Sequence, residues 1–387
     1  MNYRRLTNLR VKNKTVLIRT DFNVPIEDGK IQDDSRIKAA AETIKCILKK
    51  EPKRIVIASH LGRPKGKYDE EFSLSPVAKR LTQILKRKVV FIDDCLGEIT
   101  EGNIVMLENL RFYSGEKEND KGFAKQLAEK ADVYVNDAFG TFHRKHASVD
   151  AITNYLPSSP GLLVEKELKA IKNATHDIKK PYVAVLGAAK ISNKMKVLEN
   201  LLKKVDYLLL GGGMVFTFMR AKGYDTGKSL VEEDMIPYAK KLFQKYPKKI
   251  ILPYDFIVTN SLKNPTRIER VIAEKIRSNM AGVDIGPQSI GAFKVYLSTA
   301  KTIVWNGPMG LFEVEPFDNA TNQIAEFIAK LKATTIVGGG DTVSAIHNSG
   351  VAEKMTHIST GGGAFLESLA GKKLPGISAL ERNFKKF

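Results

Sequence analysis

The stretch TVLIRTDFN (15–23) opens with an apolar run that has no polar alternation and closes on Arg, Asp and Asn. A strand packed on one face only would alternate apolar and polar residues. A continuous run reads as a strand buried on both faces, the usual state in a parallel sheet. Helical spacing follows it: in SRIKAAAETIKCILKK (35–50), Ile37, Ala41, Ile44 and Leu48 share one helix face. The same alternation continues down the chain. RIVIAS, KVVFID, NIVMLE and DVYVND are followed by YVAVLG, DYLLLG, KIILP, TIVWNG and TTIVGGG, with helix-period segments between most of them. This predicts an α/β fold of parallel β-sheets covered by helices on both faces, in Rossmann-like layers.

With 387 residues the chain is long for a single core, so two domains are expected. YLPSSPGLL (155–163) is the most loop-like stretch between the two series of strands, and VEKELKAIKNATHD (164–177) reads as a charged helix. The expected division is an N-terminal domain over 1–164, a connecting hinge helix over 165–180 and a C-terminal domain over 181–371, with a central cleft.

The formal charge of +19 favours anionic partners. Its lysines are scattered pairs rather than a basic block with interleaved aromatics, which argues against a specific nucleic-acid binder. Two distant cysteines, Cys46 and Cys95, form no disulfide framework and suit a reduced, cytoplasmic setting. No signal-peptide h-region and no membrane-length apolar run is present, so no membrane partner is expected.

Ligands of parallel sheets sit beyond the carboxyl ends of the strands. In the first half those ends carry Asp21-Phe22-Asn23, His60-Leu61-Gly62-Arg63, Arg111 and Arg144, with Arg36 at the first helix. Guanidinium forks match phosphate and carboxylate oxygens, so a small polyanion is the expected ligand. His143 and His146 flank Arg144, but no further ligand has metal-site spacing. In the second half the strand ends carry glycines: 211–213, 338–340 and 361–363. Glycine at a strand-to-helix junction lets a phosphate approach free helix N–H groups. Asp341 is placed to meet a metal on nucleotide phosphates, and Lys190 and Lys194, spaced i,i+4 at a helix start, to meet a transferring phosphoryl group. No G-x-G-x-x-G fingerprint or nucleophile elbow is present. GYDTGKS (223–229) falls one residue short of a P-loop. It follows a helix rather than a strand, so Gly223 is expected as a helix C-cap and Lys228 at the surface. An anion-grasping half beside a phosphate-cradling half implies phosphoryl transfer between two ligands.

RTDFNVP (19–25), DGKIQDDSRI (28–37), SHLGRP (59–64), LENLRF (107–112), NDAFGTFHRKHAS (136–148), EKEL (165–168), GGGM (211–214), VWNGPMGLFE (304–313), GGGDT (338–342) and STGGGAFLE (359–367) resemble, in order, the motifs of the phosphoglycerate kinases. The resemblance implies a two-domain enzyme that reversibly transfers phosphate from 1,3-bisphosphoglycerate to Mg-ADP, giving 3-phosphoglycerate and ATP. It implies triose binding by Asp21, Phe22, Asn23, Arg36, His60, Leu61, Gly62, Arg63, Arg111 and Arg144. It implies nucleotide binding by Lys190, Lys194, Gly211, Gly212, Gly213, Gly282, Asn306, Pro308, Glu313, Gly339, Gly340, Asp341 and Thr342. Mg2+ would be met by Asp341, mainly through the nucleotide phosphates. Arg36, Lys190 and the N–H groups of Gly361, Gly362 and Gly363 would stabilise the in-line transfer after domain closure. It further implies a monomer whose tail, 372–387, completes the first domain. Three positions depart from the family pattern: Gly187-Ala188 where two glycines are usual, Phe142 where a small residue is usual, and SSPGLL before the connector. A catalytically inactive scaffold is the remaining rival, and the intact Arg36, Lys190, Lys194 and Asp341 argue against it.

Overall fold

The computed structural model describes residues 2–387. The chain forms two compact units. One runs to Lys169 and takes back Lys373–Phe387; the other is Ala170–Lys372. The boundary falls inside one helix, Leu162–Thr175.

The first unit is built on a six-stranded, all-parallel sheet. Its order is Val90–Ile92, Ile104–Leu107, Arg54–Ala58, Thr15–Arg19, Val133–Asn136, Ser158–Pro160. Successive side chains point to opposite faces, and each face has its own core. Val16, Ile18, Ile55, Ile57 and Val133 pack with helices Ser35–Leu48 and Ser75–Leu85. Leu17, Val56, Val105, Leu107 and Tyr134 pack on the other side with helix Lys121–Ala128. Two dry faces are the reason the strands read as unbroken apolar runs.

The second unit has its own six-stranded parallel sheet. Its order is Ile250–Ile251, Tyr207–Gly211, Tyr182–Gly187, Thr302–Asn306, Thr334–Gly338, His357–Ile358. Helix Met195–Lys204 buries Val197, Leu198, Leu201 and Leu202; helix Asn319–Ile328 buries Ala320, Ile324, Ala325 and Ile328.

Three local expectations need correction. The loop-like YLPSSPGLL contains the edge strand Ser158–Pro160, and Leu162 already begins a helix. Proline hid that strand, but an edge strand tolerates it. A three-stranded antiparallel sheet, Ile268–Ile272, Asp255–Thr259, Ala281–Ile285, accompanies the parallel one. Its outer strand alternates exposed and half-buried residues and has no buried run to announce it. Finally, Lys190 and Lys194 do not share a helix face. A 3-10 turn covers Ser192–Lys194 and the α-helix starts at Met195.

Gly223 does terminate helix Met214–Ala221, at φ +89°. Its N–H donates to the Arg220 carbonyl, and the Tyr224 N–H to that of Met219. The GKS that follows is tied to the antiparallel sheet: Lys228 N–H donates to the Met280 carbonyl (2.7 Å) and Gly282 N–H to Ser229 Oγ (2.9 Å). Lys228 is exposed. These amides are committed to protein partners, unlike those of a phosphate loop.

Candidate active site

The first unit gathers its charged loop residues at the carboxyl ends of the central strands. The Phe22 N–H donates to Ser59 Oγ (2.9 Å), which in turn donates to the Thr20 carbonyl (2.8 Å), so the two strand-end loops are fastened together. Asn23 Oδ1 accepts from the Gly62 N–H (2.8 Å). Arg111 Nη1 donates to the Gly62 carbonyl (2.6 Å). Asn109 orients that loop by donating to the Leu61 and Phe72 carbonyls (2.8 and 2.9 Å). Arg36 Nη1 lies 3.1 Å from Asp21 Oδ1. Arg144 Nε donates to His143 Nε2 (3.2 Å).

The side chains of Phe22 and Leu61 are sealed in the core, so these two act on the site only by shaping its backbone. Arg63 is exposed and has no side-chain partner among the described residues. His146 is not paired with His143 around a metal: its Nδ1 lies 3.6 Å from Glu116 Oε1. No cluster of three or more His, Cys, Asp or Glu suited to a metal occurs among the described residues.

Burial presses on this cluster. The Arg111 pKa is pushed down to about 10, first by burial and then by Arg19 and Arg144. His60 is held well below the ordinary histidine range by burial, then by Arg19, Arg111, His146 and Arg36. Arg111 Nε is buried without a partner. Like charges crowded in a part-buried site raise the free energy of the empty site, and a polyanion relieves it. Arg19 belongs to this cluster and escaped sequence reading, since an arginine ending an apolar strand looks like a surface residue. It is fully buried.

In the second unit the strand ends converge through backbone contact. A Cβ on Gly187 would stand 1.8 Å from the Pro308 carbonyl oxygen, so only glycine allows strands Tyr182–Gly187 and Thr302–Asn306 to end this close. Gly212 N–H donates to the Met309 carbonyl (2.8 Å), and the Ala188 carbonyl accepts from Met214 N–H (2.9 Å). Lys194 Nζ donates to Asn306 Oδ1, and Asn306 Nδ2 donates to the Gly338 carbonyl (2.5 Å). Thr342 Oγ1 accepts from the Gly307 N–H (2.6 Å). Gly339 takes φ +99° where helix Gly340–Asn348 begins. Helix Gly362–Leu369 begins beside it: a Cβ on Gly338 would meet the Phe365 ring at 2.2 Å. Lysine, amide, threonine and two glycine-led helix N-termini therefore gather at the carboxyl end of the sheet.

The Lys194 pKa is pushed down to about 8 by burial, which nearby Asp341 partly offsets. Asp341 sits exposed in the first turn of its helix. Lys190 is exposed, in the loop before the turn that Glu232 ties down through Ser192 (2.6 Å). Gly282 packs under the Phe216 ring, and Glu313 is exposed on the 307–318 loop. Sequence reading missed Asp284, which fastens the helix that follows that loop. Its carboxylate accepts from the N–H groups of Ile285 and Ala320 (both 2.9 Å).

Comparison with known proteins identifies the family. The family model for phosphoglycerate kinase matches residues 6–372. The phosphoglycerate kinase of Trichodesmium erythraeum is 49% identical over 389 residues, covering 97% of this chain and 98% of its own. That of Moorella thermoacetica is 47% identical, with the same coverage. Among solved structures, phosphoglycerate kinase from Coxiella burnetii superposes with a TM-score of 0.93 at 41% identity, covering 98% of this chain and 99% of its own. The enzyme from Pyrococcus horikoshii gives 0.85 at 33% identity, covering 99% and 100%. With its motifs in order, its two sheets matched and its length covered almost end to end, the chain belongs to the phosphoglycerate kinase family.

Proposed function

We propose that the chain carries out the family reaction, reversible phosphoryl transfer between 1,3-bisphosphoglycerate and ADP in glycolysis, with its two units dividing the work as follows. The part-buried guanidinium cluster of the first unit carries this reading, because Arg111 loses stabilisation there until an anion arrives. Arg36, His60, Arg63, Arg111 and Arg144, with Asp21 and Asn23, take the phosphate and carboxylate of the triose. The Lys194–Asn306–Gly338 node, Thr342 and the helix starting at Gly340 take the nucleotide phosphates. Gly211, Gly212, Gly213, Gly282, Pro308 and Glu313 surround the nucleoside. Lys190 and the N–H groups of Gly361, Gly362 and Gly363 meet the charge of the transferring group.

The donor set fits Mg2+ brought in on the nucleotide. Asp341 offers one exposed carboxylate and no cage of further acidic or histidine ligands surrounds it among the described residues, which suits an ion that keeps phosphate and water ligands. When bound, the ion would neutralise phosphate charge. A carboxylate acceptor is already ionised near neutral pH, so no general base is required. Charge neutralisation and in-line positioning supply the catalysis. Transfer needs both ligand sets together, so closure of the units on both substrates is part of this reading. So are a monomeric state and a cytoplasmic setting, which the free Cys46 and Cys95 suit. No helix among the described residues is long and apolar enough to cross a membrane.

A coupled assay of Mg-dependent ATP formation from 1,3-bisphosphoglycerate and ADP tests the reading. Arg36→Ala is expected to lower kcat by at least about a hundredfold, as removal of one preorganised charge donor does. Asp341→Ala is expected to weaken Mg-nucleotide use. Wild-type turnover by either variant would remove that residue from the machinery.

A further inference from the structure

A buried charged network lies beneath His60. Arg19 ends the central strand Thr15–Arg19 and is fully buried. Its Nε donates to Ser148 Oγ (2.8 Å), its Nη1 donates to the Thr20 carbonyl, and its Nη2 lies 3.1 Å from His60 Nδ1. Glu116 is equally buried, on the short helix Ser114–Glu118 that follows the Arg111 loop. It lies 3.8 Å from Arg19 Nη2 and accepts from both the N–H and the hydroxyl of Ser148 (2.9 and 2.7 Å). Burial alone would raise the Glu116 pKa. Its close contact with His146 (3.6 Å), the charge of Arg19 and the hydrogen bonds from Ser148 outweigh that and hold it below the usual carboxylate range.

A guanidinium has only donors. His60 Nδ1 must therefore accept, and the proton of the neutral ring must sit on Nε2. Among the described residues no acceptor meets Nε2. We infer that Arg19, locked by Glu116 and Ser148, is a positioning residue that holds His60 as a neutral Nε2–H donor, and that this donor serves the anionic triose. The second half of the inference rests on the triose reading above; the tautomer does not. The arrangement has a physical purpose. An imidazole with its proton on Nδ1 would turn a lone pair towards the substrate oxygens. A buried imidazolium would add a further charge to an already crowded cluster. Fixing the tautomer from behind gives a directed donor that needs no proton uptake.

Nitrogen-15 spectra of the histidines in the full-length protein read the tautomer directly. His60 is expected as the neutral Nε2–H form at neutral pH and as pH falls through the ordinary histidine range. An Nδ1–H form, or an imidazolium near pH 7, would overturn the inference whatever the variants do. Arg19→Met and Glu116→Gln are expected to let His60 take up a proton or populate both tautomers. They should raise KM for 3-phosphoglycerate roughly tenfold, the loss of about one directed hydrogen bond, with KM for ATP unchanged. Arg19→Lys should recover part of the loss. His60→Gln places a donor near the Nε2 position and should stay within roughly threefold of wild type, whereas His60→Asn should lose about tenfold. An Nε2–H tautomer with a triose KM indifferent to His60→Ala would keep the tautomer assignment and remove the triose reading instead.

Discussion

Lys194 is the residue whose chemistry depends most directly on burial. Its ammonium is poised to lose its proton near pH 8, because burial disfavours the charged form and only Asp341 favours it. In the proposed role at the nucleotide phosphates, the charged lysine is the form that binds. The ratio kcat/KM for Mg-ADP is therefore expected to fall as pH rises through about 8, since this ratio reports groups of the free enzyme. In Lys194→Met that inflection should disappear along with most of the nucleotide affinity; an unchanged profile would exclude Lys194 as its source. Asp284 titrates in the opposite sense. Burial raises its pKa to about 7, against the hydrogen bonds from Ala320 and Ile285. A carboxyl whose folded pKa lies above its unfolded value stabilises most when protonated. Its contribution is complete below about pH 4 and is lost as pH rises through about 7. Asp284→Asn should therefore gain stability relative to wild type as pH rises across that window, in urea unfolding curves measured at intervals. The lysine and the glycines were legible as candidates from their places after strands. Asp284 and Arg19 were not: their type says surface, and only their packing puts them inside.

At the scale of elements, the C-terminal helix Pro375–Lys386 shows what a short amphipathic segment can decide. Asn383 is almost fully buried within the first unit. Its amide donates to the Thr153 and Leu156 carbonyls (2.6 and 2.8 Å) and accepts from the Ser158 N–H (2.8 Å). One side chain thus supplies the hydrogen bonds of a turn and of the edge strand Ser158–Pro160. Arg382 pairs with Asp150 (2.5 Å) and Lys386 donates to the Asn154 carbonyl (2.7 Å). Asn383→Ala strands several buried backbone groups and should cost roughly 2–4 kcal/mol. Chemical denaturation of the first unit's transition checks it; a loss under about 0.5 kcal/mol would show that water replaces the amide. The departure at Phe142 finds its setting here. Its ring is buried against Gly376, where a Cβ would come within 2.6 Å, and its carbonyl accepts from the Gly376 N–H (3.0 Å). A large residue on the first unit thus meets a glycine on the returning helix. The departure at Ala188 is gentler, since its backbone keeps the bond to Met214.

At the scale of the molecule, the two units differ in how the chain builds them. Ala170–Lys372 is one continuous segment, whereas the first unit needs both ends of the chain. A fragment of residues 170–372 is therefore expected to fold alone and keep nucleotide affinity, read by heteronuclear NMR. A fragment of residues 1–169 should be much less stable than the same fragment with 373–387 restored by a linker. Equal stability of the two would show the returning helix to be an ornament of the fold. What the sequence determined by itself was local and periodic. Unbroken apolar runs and helical spacing announced two parallel sheets. Gly, Arg, Asp and His after strands marked the candidate ligand positions, because strand ends are where backbone turns and side chains are free to face a ligand. GYDTGKS, a near P-loop by spelling, was rightly placed after a helix, and the bonds of Lys228 and Ser229 to the Met280–Gly282 edge say what it does instead. What only tertiary structure decided was the state of each group once placed. It set which arginine is buried, which nitrogen of His60 bears the proton, which carboxyls hold theirs near neutrality, and which strand Asn383 completes. Those depend on desolvation and on partners more than a hundred residues away, such as Ser148 for Arg19 and Ser158 for Asn383, and no local pattern encodes them.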